Sequence, residues 1–174
     1  MRATFAAGFL SILAVGLSPA ASSSEPHRLS NAAIDAELRQ REIAAQLAPI
    51  KSRDDLQRYQ TTTPASANPL SKLSPAGRQR FLDSLVFNDR GELAGFRYGD
   101  LEAELSVSEI YRILSLFGAQ HTTSLMTKAK VVNKADRAIR AAPSLAAKGD
   151  YDGYSCVSRA NCYQTPQYIC MSGC

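Results

Sequence analysis

The residues of this 174-residue chain that most clearly carry chemistry are its four cysteines. They are clustered, with the spacing Cys156-x5-Cys162-x7-Cys170-x3-Cys174. An even number of clustered cysteines is typical of a disulfide framework, and four cysteines allow three different pairings. A zinc site favours Cys-x2-Cys pairs and a reactive thiolate needs a nearby base, but residues 149–174 contain neither such a pair nor a histidine. We therefore predict two disulfides, with their pairing open, and no metal site.

The chain has few residues that could act as a general base in catalysis, because it contains only two histidines, His27 and His121. His121 follows a helix that Gly118 is expected to end, where a histidine can interact with the exposed carbonyls of the last turn. The sequence contains no Gly-x-Ser-x-Gly elbow, no His-Glu-x-x-His helix and no phosphate loop. The sequence therefore predicts a protein that is not an enzyme and that takes no cofactor.

The cysteine-rich tail, residues 149–174, differs from the rest of the mature chain in its aromatic residues. It has no phenylalanine but four tyrosines, Tyr151, Tyr154, Tyr163 and Tyr168. Tyrosine suits half-buried surfaces, because its ring packs against other groups while its hydroxyl stays hydrated. These four side chains are the predicted recognition surface.

Charge narrows the choice of partner. The net charge of the whole chain, +4, is too small to indicate nucleic acid. Within the tail, Asp150 and Asp152 against Arg159 give a net charge of −1, which argues against attraction to anionic lipid. We expect the partner to be an unidentified protein or cell-envelope target, and not nucleic acid.

Residues 1–21 have the pattern of a signal peptide. Arg2 precedes an uncharged apolar run from Ala3 to Leu17, and small residues suitable for cleavage follow it. The run is shorter than the roughly 20 residues that a membrane-spanning helix needs. We therefore expect the mature protein to be secreted or periplasmic, with no transmembrane segment after removal of the signal. An oxidising compartment of this kind favours disulfides.

Five segments follow the signal peptide. Residues 22–29 are polar and small, and are predicted to be a mobile leader. Residues 30–60 are a predicted N-terminal helical segment, because they are rich in helix formers and place apolar residues at helical spacing. Residues 61–72 are rich in Thr, Pro, Ala and Ser, which is typical of a linker. Residues 73–148 hold the densest apolar region and are the predicted helical core domain, and residues 149–174 are the predicted Cys/Tyr-rich disulfide module.

The predicted core domain carries its own start signals. Ser74 precedes a proline, which is favoured at the first helical position, and Ser106 and Glu109 have the spacing of a capping box. A last helix is predicted near Asn133, and residues 92–98 are predicted as a short strand or an extended connection. All phenylalanines of the mature chain lie in this region. We therefore predict a mainly α fold, a small helical domain with a short disulfide-bonded C-terminal module, and expect the helical region to fold without that module.

A long stretch of the predicted core, from Phe81 through Tyr98 and Leu101 to the run from Glu109 to Gln120, resembles the bacteriocin fulvocin C-related family. The resemblance covers about residues 70–125 and extends to the layout of export signal, helical region and cysteine-containing tail. Members of that family are exported bacterial precursors with a long N-terminal region and a short C-terminus that contains cysteines. The resemblance implies an antimicrobial or toxin-like product, with Cys156, Cys162, Cys170 and Cys174 as its framework.

The sequence leaves two functions open. In the first, the protein is a bacteriocin-like precursor whose helical region escorts a C-terminal peptide. Its release would follow cleavage at Lys148–Gly149, because proteases cut flexible, polar junctions. In the second, the chain stays intact as a secreted binding or interaction protein without catalytic activity, and the tail is a disulfide-locked appendage.

Overall fold

The computed structural model describes residues 31–142 and 149–174. These residues form helices and one antiparallel sheet. The helices are α1 (Asn31–Leu47), α2 (Arg53–Thr62), α3 (Pro75–Asp83), α4 (Gly99–Glu104), α5 (Val107–Ser115) and α6 (Lys134–Ala141). Short 3₁₀ helices lie at Pro69–Lys72 and Gln120–Leu125. The strands are β1 (Val86–Phe87), β2 (Leu93–Arg97), β3 (Tyr151–Ser158) and β4 (Asn161–Cys170). They form one sheet in the order β1-β2-β4-β3, in which all neighbours are antiparallel.

The sheet overturns the predicted fold class. A mainly α domain with a separate C-terminal module was expected, but the protein is α+β, because four strands share one sheet. The prediction is wrong because β4 belongs to the tail and pairs with β2 of the predicted core domain, and local sequence patterns do not report pairing between distant segments. The paired residues are Gly95 with Cys170, Phe96 with Ile169, and Arg97 with Tyr168.

The helix starts, in contrast, follow the capping residues in the sequence. The side chain of Ser74 caps α3. The predicted capping box between Ser106 and Glu109 begins α5, and a second capping box between Asn133 and Asp136 begins α6. These contacts satisfy backbone N–H groups that have no partner inside their own helix. The predicted helix starts at Ser74, at Ser106 and near Asn133 are therefore confirmed.

Of two connecting segments, one is more ordered than its composition indicates and the other forms a strand, as one of its two predicted states. Residues 61–72, predicted as a linker, contain the end of α2 and a 3₁₀ helix in which Leu70 is fully buried. Asn68 caps this 3₁₀ helix through its side chain. Residues 92–98, predicted as a strand or an extended connection, contain β2. Because Leu70 packs in the core, the first of these segments is part of the folded body.

The hydrophobic core joins the helices to the sheet. Phe81 of α3 packs edge-on against Phe96 and Phe117, with ring centroids 5.9 Å and 6.0 Å apart. Ile169 of β4 and Met171, which follows it, are buried in the same cluster. Since removal of apolar surface from water is the main driving force for folding, the tail contributes directly to the stability of the whole.

Some sequence predictions concern residues outside the described ranges. These are the signal peptide (residues 1–21), the leader (residues 22–29) and Lys148 at the predicted processing point. Of the helices in residues 31–142 and 149–174, none combines the length and the apolar character that a membrane span requires.

Candidate functional site

The hairpin of β3 and β4 is sharply bent. Cys156 faces Cys162 near its turn, and Cys170 lies at the other end of β4. The register shifts between these points, where Gly153 and Gln167 have positive φ values of 80° and 66°. Residues eight apart in a straight strand are separated by about 26 Å, but the Cα atoms of Cys162 and Cys170 are 5.9 Å apart. The outer half of the hairpin therefore folds back over its base.

Two disulfides lock this bend. They join Cys156 to Cys174 and Cys162 to Cys170, and no cysteine in the described part of the chain is free. The sulfur atoms of Cys156, Cys170 and Cys174 lie within 4.8 Å of one another, so the two bridges are adjacent. The predicted pair of disulfides is confirmed, and the pairing that the sequence left open is now defined.

The four tyrosines of the predicted recognition surface do not lie on one surface. Tyr151 and Tyr154 are exposed and pack edge-on, with ring centroids 6.2 Å apart. Tyr163 is also exposed, but it pairs with Ser155 and therefore points to the opposite face of the hairpin from Tyr154. Tyr168 is half-buried where β4 meets β2. The structure thus brings two of these tyrosines together and separates the other two from them.

A groove of about 870 Å³ runs between the hairpin and the turn after β1. Tyr151 and Val157 line its hairpin side and expose 58% and 56% of their surface, while Val86 lines the opposite side. Arg90, Arg159 and Asp89 add charged groups of both signs to its lining, and Arg90 is paired with Glu92 at 2.6 Å. Exposed apolar side chains beside polar and charged groups are typical of surfaces that recognise proteins.

The predicted processing point is anchored on its C-terminal side. Gly149 has a φ of +89°, and the side chain of Asp150 is fully buried. Asp150 accepts hydrogen bonds from Arg41 of α1 (3.1 Å) and from the backbone N–H of Ser172 (3.0 Å). The chain is therefore held to the folded body within two residues of the predicted cleavage point.

Two further polar contacts join the hairpin to the rest of the molecule. Arg97 of β2 donates a hydrogen bond to the side-chain oxygen of Gln167 (2.8 Å). The hydroxyl of Tyr98 hydrogen-bonds to Asp152; its burial and this contact raise the pKa of Tyr98 above its ordinary value. The tail is thus fixed by side-chain contacts as well as by the pairing of β4 with β2.

A separate cavity of about 390 Å³ lies between α1 and the helices that follow it in the core. Its walls include Glu37 and Arg41 from α1, Tyr111 from α5, Gln120, His121 and Thr123 from the second 3₁₀ helix, and Ile139 from α6. The Nε2 atom of His121 lies 3.1 Å from a carboxylate oxygen of Asp150. His121 therefore belongs, with Arg41 and Asp150, to a buried charge network. This contact with Asp150, and not one with the helix-end carbonyls suggested by the sequence position of His121, accounts for the placement of its Nε2 atom.

No protein-family model, no curated protein and no solved structure matches this chain. Three residues of the charge network and cavity, Arg41, Asp150 and Thr123, were not among the candidates from the sequence. Arg41 and Asp150 are 109 residues apart, and their contact leaves no local signal. Thr123 directly follows Thr122 in the sequence, and only their packing in the fold distinguishes the two threonines.

Proposed function

We propose that this protein acts as an intact secreted binding protein, whose disulfide-bonded hairpin recognises a partner without leaving the chain. The observation that carries this proposal is the burial of Ile169 and Met171 in the core, together with the pairing of β4 and β2. Release of the tail would expose both side chains to water and leave β2 paired only with the two-residue β1. A segment that completes the core is better suited to stay than to leave.

The binding surface in this proposal is the groove side of the hairpin, around Tyr151 and Val157, with Tyr154 packed edge-on against Tyr151. Exposed aromatic residues are frequent binding hot spots, because they bury a large area with few rotatable bonds. The two disulfides restrict the hairpin before binding, so less conformational entropy is lost when a partner docks. We expect the partner to be a protein or cell-envelope component that places an apolar group against Tyr151 and Val157.

The competing function is the bacteriocin-like precursor that the family resemblance implies. It requires cleavage near Lys148, followed by separation of residues 149–174 from the helices. A disulfide framework in an exported chain supports it, because small released peptides depend on such bridges. The contacts of Asp150 with Arg41 and His121 oppose it, because they join the tail to the helical part and remain after the chain is cut.

The first experiment measures the mass of the protein that the native host secretes. We expect one oxidised chain that includes residue 174. We also expect that purified protein with an inserted recognition site for a sequence-specific protease after Lys148, once cut there, elutes as one species in native size-exclusion chromatography. A secreted fragment that begins near Gly149, separates from the helices and inhibits related bacteria would overturn the proposal.

The second experiment tests the surface. A photo-crosslinking amino acid is placed at Tyr151, and the matched control carries it at Tyr163, which is also exposed but faces the other way. Irradiation in the presence of host envelope fractions should give a discrete crosslinked product from position 151 and none from position 163. Equal yields from both positions would contradict the assigned surface.

A further inference from the structure

The lining of the cavity between α1 and the core combines polar and apolar groups. Its volume of about 390 Å³ lies in the range of small-molecule sites, which usually combine an apolar lining with a few placed polar atoms. Ile43, Leu47, Tyr111 and Ile139 form the apolar part of the wall. The cavity and the hairpin groove share no lining residue, so a site in the cavity does not rest on the function proposed for the hairpin.

Three residues that line this cavity each carry a buried polar atom with no hydrogen-bond partner among the described residues. These atoms are Oε1 of Gln120, Nδ1 of His121 and Oγ1 of Thr123. Thr123 exposes only 1% of its surface. Buried polar groups in folded proteins are nearly always paired, so three unpaired atoms in one cavity indicate groups that a ligand would satisfy.

The charge network sets the direction in which His121 can bond. An ionised carboxylate only accepts hydrogen bonds, so Nε2 of His121 carries the hydrogen in its 3.1 Å contact with Asp150. In the neutral ring, Nδ1 then presents a lone pair. The amide oxygen of Gln120 also accepts, and the hydroxyl of Thr123 can accept as well. All three unpaired atoms therefore suit a ligand that donates hydrogen bonds.

The charges around the cavity favour a cation. Arg41 is bonded to Glu37 at 3.3 Å and to Asp150 at 3.1 Å. Among the described residues of this group, one positive and two negative side chains sum to one negative charge when His121 is neutral. A primary ammonium group complements this charge, and its three N–H donors equal the number of unpaired acceptors.

We propose that this cavity is a binding site for a small primary amine with a short apolar chain. The ammonium group bonds to Gln120, His121 and Thr123, and its apolar chain lies against Ile43, Leu47 and Ile139. Glu37 supplies the compensating negative charge at the wall of the site.

The experiment titrates the full-length, disulfide-bonded protein with n-hexylamine at pH 8, and with 1-hexanol and hexanoate as the neutral and anionic analogues. Isothermal calorimetry gives the affinities, and the ¹⁵N shift of His121 Nδ1 in histidine-labelled protein reports the place of binding. We expect saturable binding of hexylamine with a shift at Nδ1, and at least about tenfold weaker binding of both analogues. No saturable shift at His121, or hexanol binding as tightly as hexylamine, would overturn the proposal.

Two neighbouring threonines provide a matched pair of variants. Thr122 and Thr123 are both buried, but the Thr122 hydroxyl donates to the carbonyl of Ala119 (2.8 Å) and does not line the cavity. Thr123→Val should bind hexylamine about tenfold more weakly without loss of stability, because the hydroxyl that it removes is unpaired. Thr122→Val should lose stability and keep its affinity. If Thr123→Val keeps full affinity, and Gln120→Leu does so too, the site is not the one proposed.

Discussion

At the scale of single residues, Asp136 shows how one carboxylate can join two helices. It is fully buried and accepts hydrogen bonds from the backbone N–H groups of Ser108 (2.7 Å), Val132 (2.8 Å) and Asn133 (3.0 Å). Burial alone would raise the pKa of this carboxyl, but hydrogen bonds from the same three residues hold the pKa well below its usual range. The fold therefore stabilises the ionised form of Asp136.

Replacement of Asp136 by Asn should lower the free energy of unfolding by about 2 kcal/mol at neutral pH. Both carboxylate oxygens accept hydrogen bonds from N–H groups, so the amide NH₂ of Asn faces a donor in either orientation. Urea unfolding followed by circular dichroism measures the loss. Asp89→Asn, at an exposed turn position, is the control and should change stability by less than about 0.5 kcal/mol. Equal losses in the two variants would contradict the role of Asp136.

The effect of Asp136→Asn should also depend on pH. The pKa of Asp136 is lower in the folded protein than the value of about 3.9 expected for an unfolded chain. Its stabilisation is therefore fully present above the unfolded pKa and is lost as the pH falls toward the folded pKa. Urea midpoints of both proteins at about pH 7, 4 and 2 should converge toward the lowest pH. A constant difference across this range would rule out a contribution from ionisation.

Two glycines separate the cost of backbone conformation from the cost of crowding. Gly118 has a φ of +71°, and a Cβ atom there would lie 2.6 Å from the Cα of Ala45 in α1. Gly153 has a φ of +80° with no described atom within 4 Å of such a Cβ. Gly153→Ala should cost about 1 kcal/mol through conformation alone. Gly118→Ala should cost clearly more, because α1 must also move. Urea unfolding compares the two, and equal losses would mean that α1 does not pack on Gly118.

At the scale of elements, the bent hairpin predicts a specific peptide map. Trypsin cuts after Arg159 and cyanogen bromide cuts after Met171, so the two treatments separate Cys156, the pair Cys162 and Cys170, and Cys174 onto three fragments. With the pairing in the structure, residues 149–159 should stay linked to residues 172–174, while residues 160–171 form a single looped peptide. Mass spectrometry without reduction distinguishes these products. Both other pairings would link all three fragments into one species.

The helices of this protein could be predicted from the sequence because their signals are local. Ser74, and Ser106 with Glu109, mark helix starts within the span of one turn. The sheet was not accessible in this way, because β2 and β4 lie about 70 residues apart, as the contact of Arg97 with Gln167 illustrates. In the tail, the left-handed backbone at Gly153 and Gln167 also interrupts the alternation that would indicate strands.

The candidate sites show the same difference between features that local sequence reveals and features that depend on tertiary structure. The cysteines could be recognised by type and number, and two disulfides followed from their clustering. The pairing required the bend of the hairpin, which depends on tertiary structure. The cavity could not be predicted, because Arg41, His121 and Asp150 come from three distant segments and meet only through packing.

At the scale of the whole molecule, the tail and the helices form one core, in contrast to the expectation that the helical region folds alone. A chain that ends at residue 148 lacks Ile169 and Met171 and leaves β2 paired only with the two-residue β1. It should therefore lose its cooperative thermal unfolding transition, as measured by circular dichroism. A chain that begins at Ala48 is the control: it lacks α1, which has no buried residue, and should still unfold cooperatively. A cooperative transition in the first chain at the temperature of the full chain would contradict the shared core.

The place of β4 beside β2 also sets the order in which the molecule can assemble. β2 is synthesised long before its principal partner, and strands so far apart in sequence pair slowly, because a long loop must close first. During this interval β2 is an apolar strand with an open edge, which is the kind of surface through which chains aggregate. The time that the chain spends before β4 arrives is therefore its period of greatest risk. Rapid synthesis at high concentration should increase the number of chains in that state and cause more of them to aggregate.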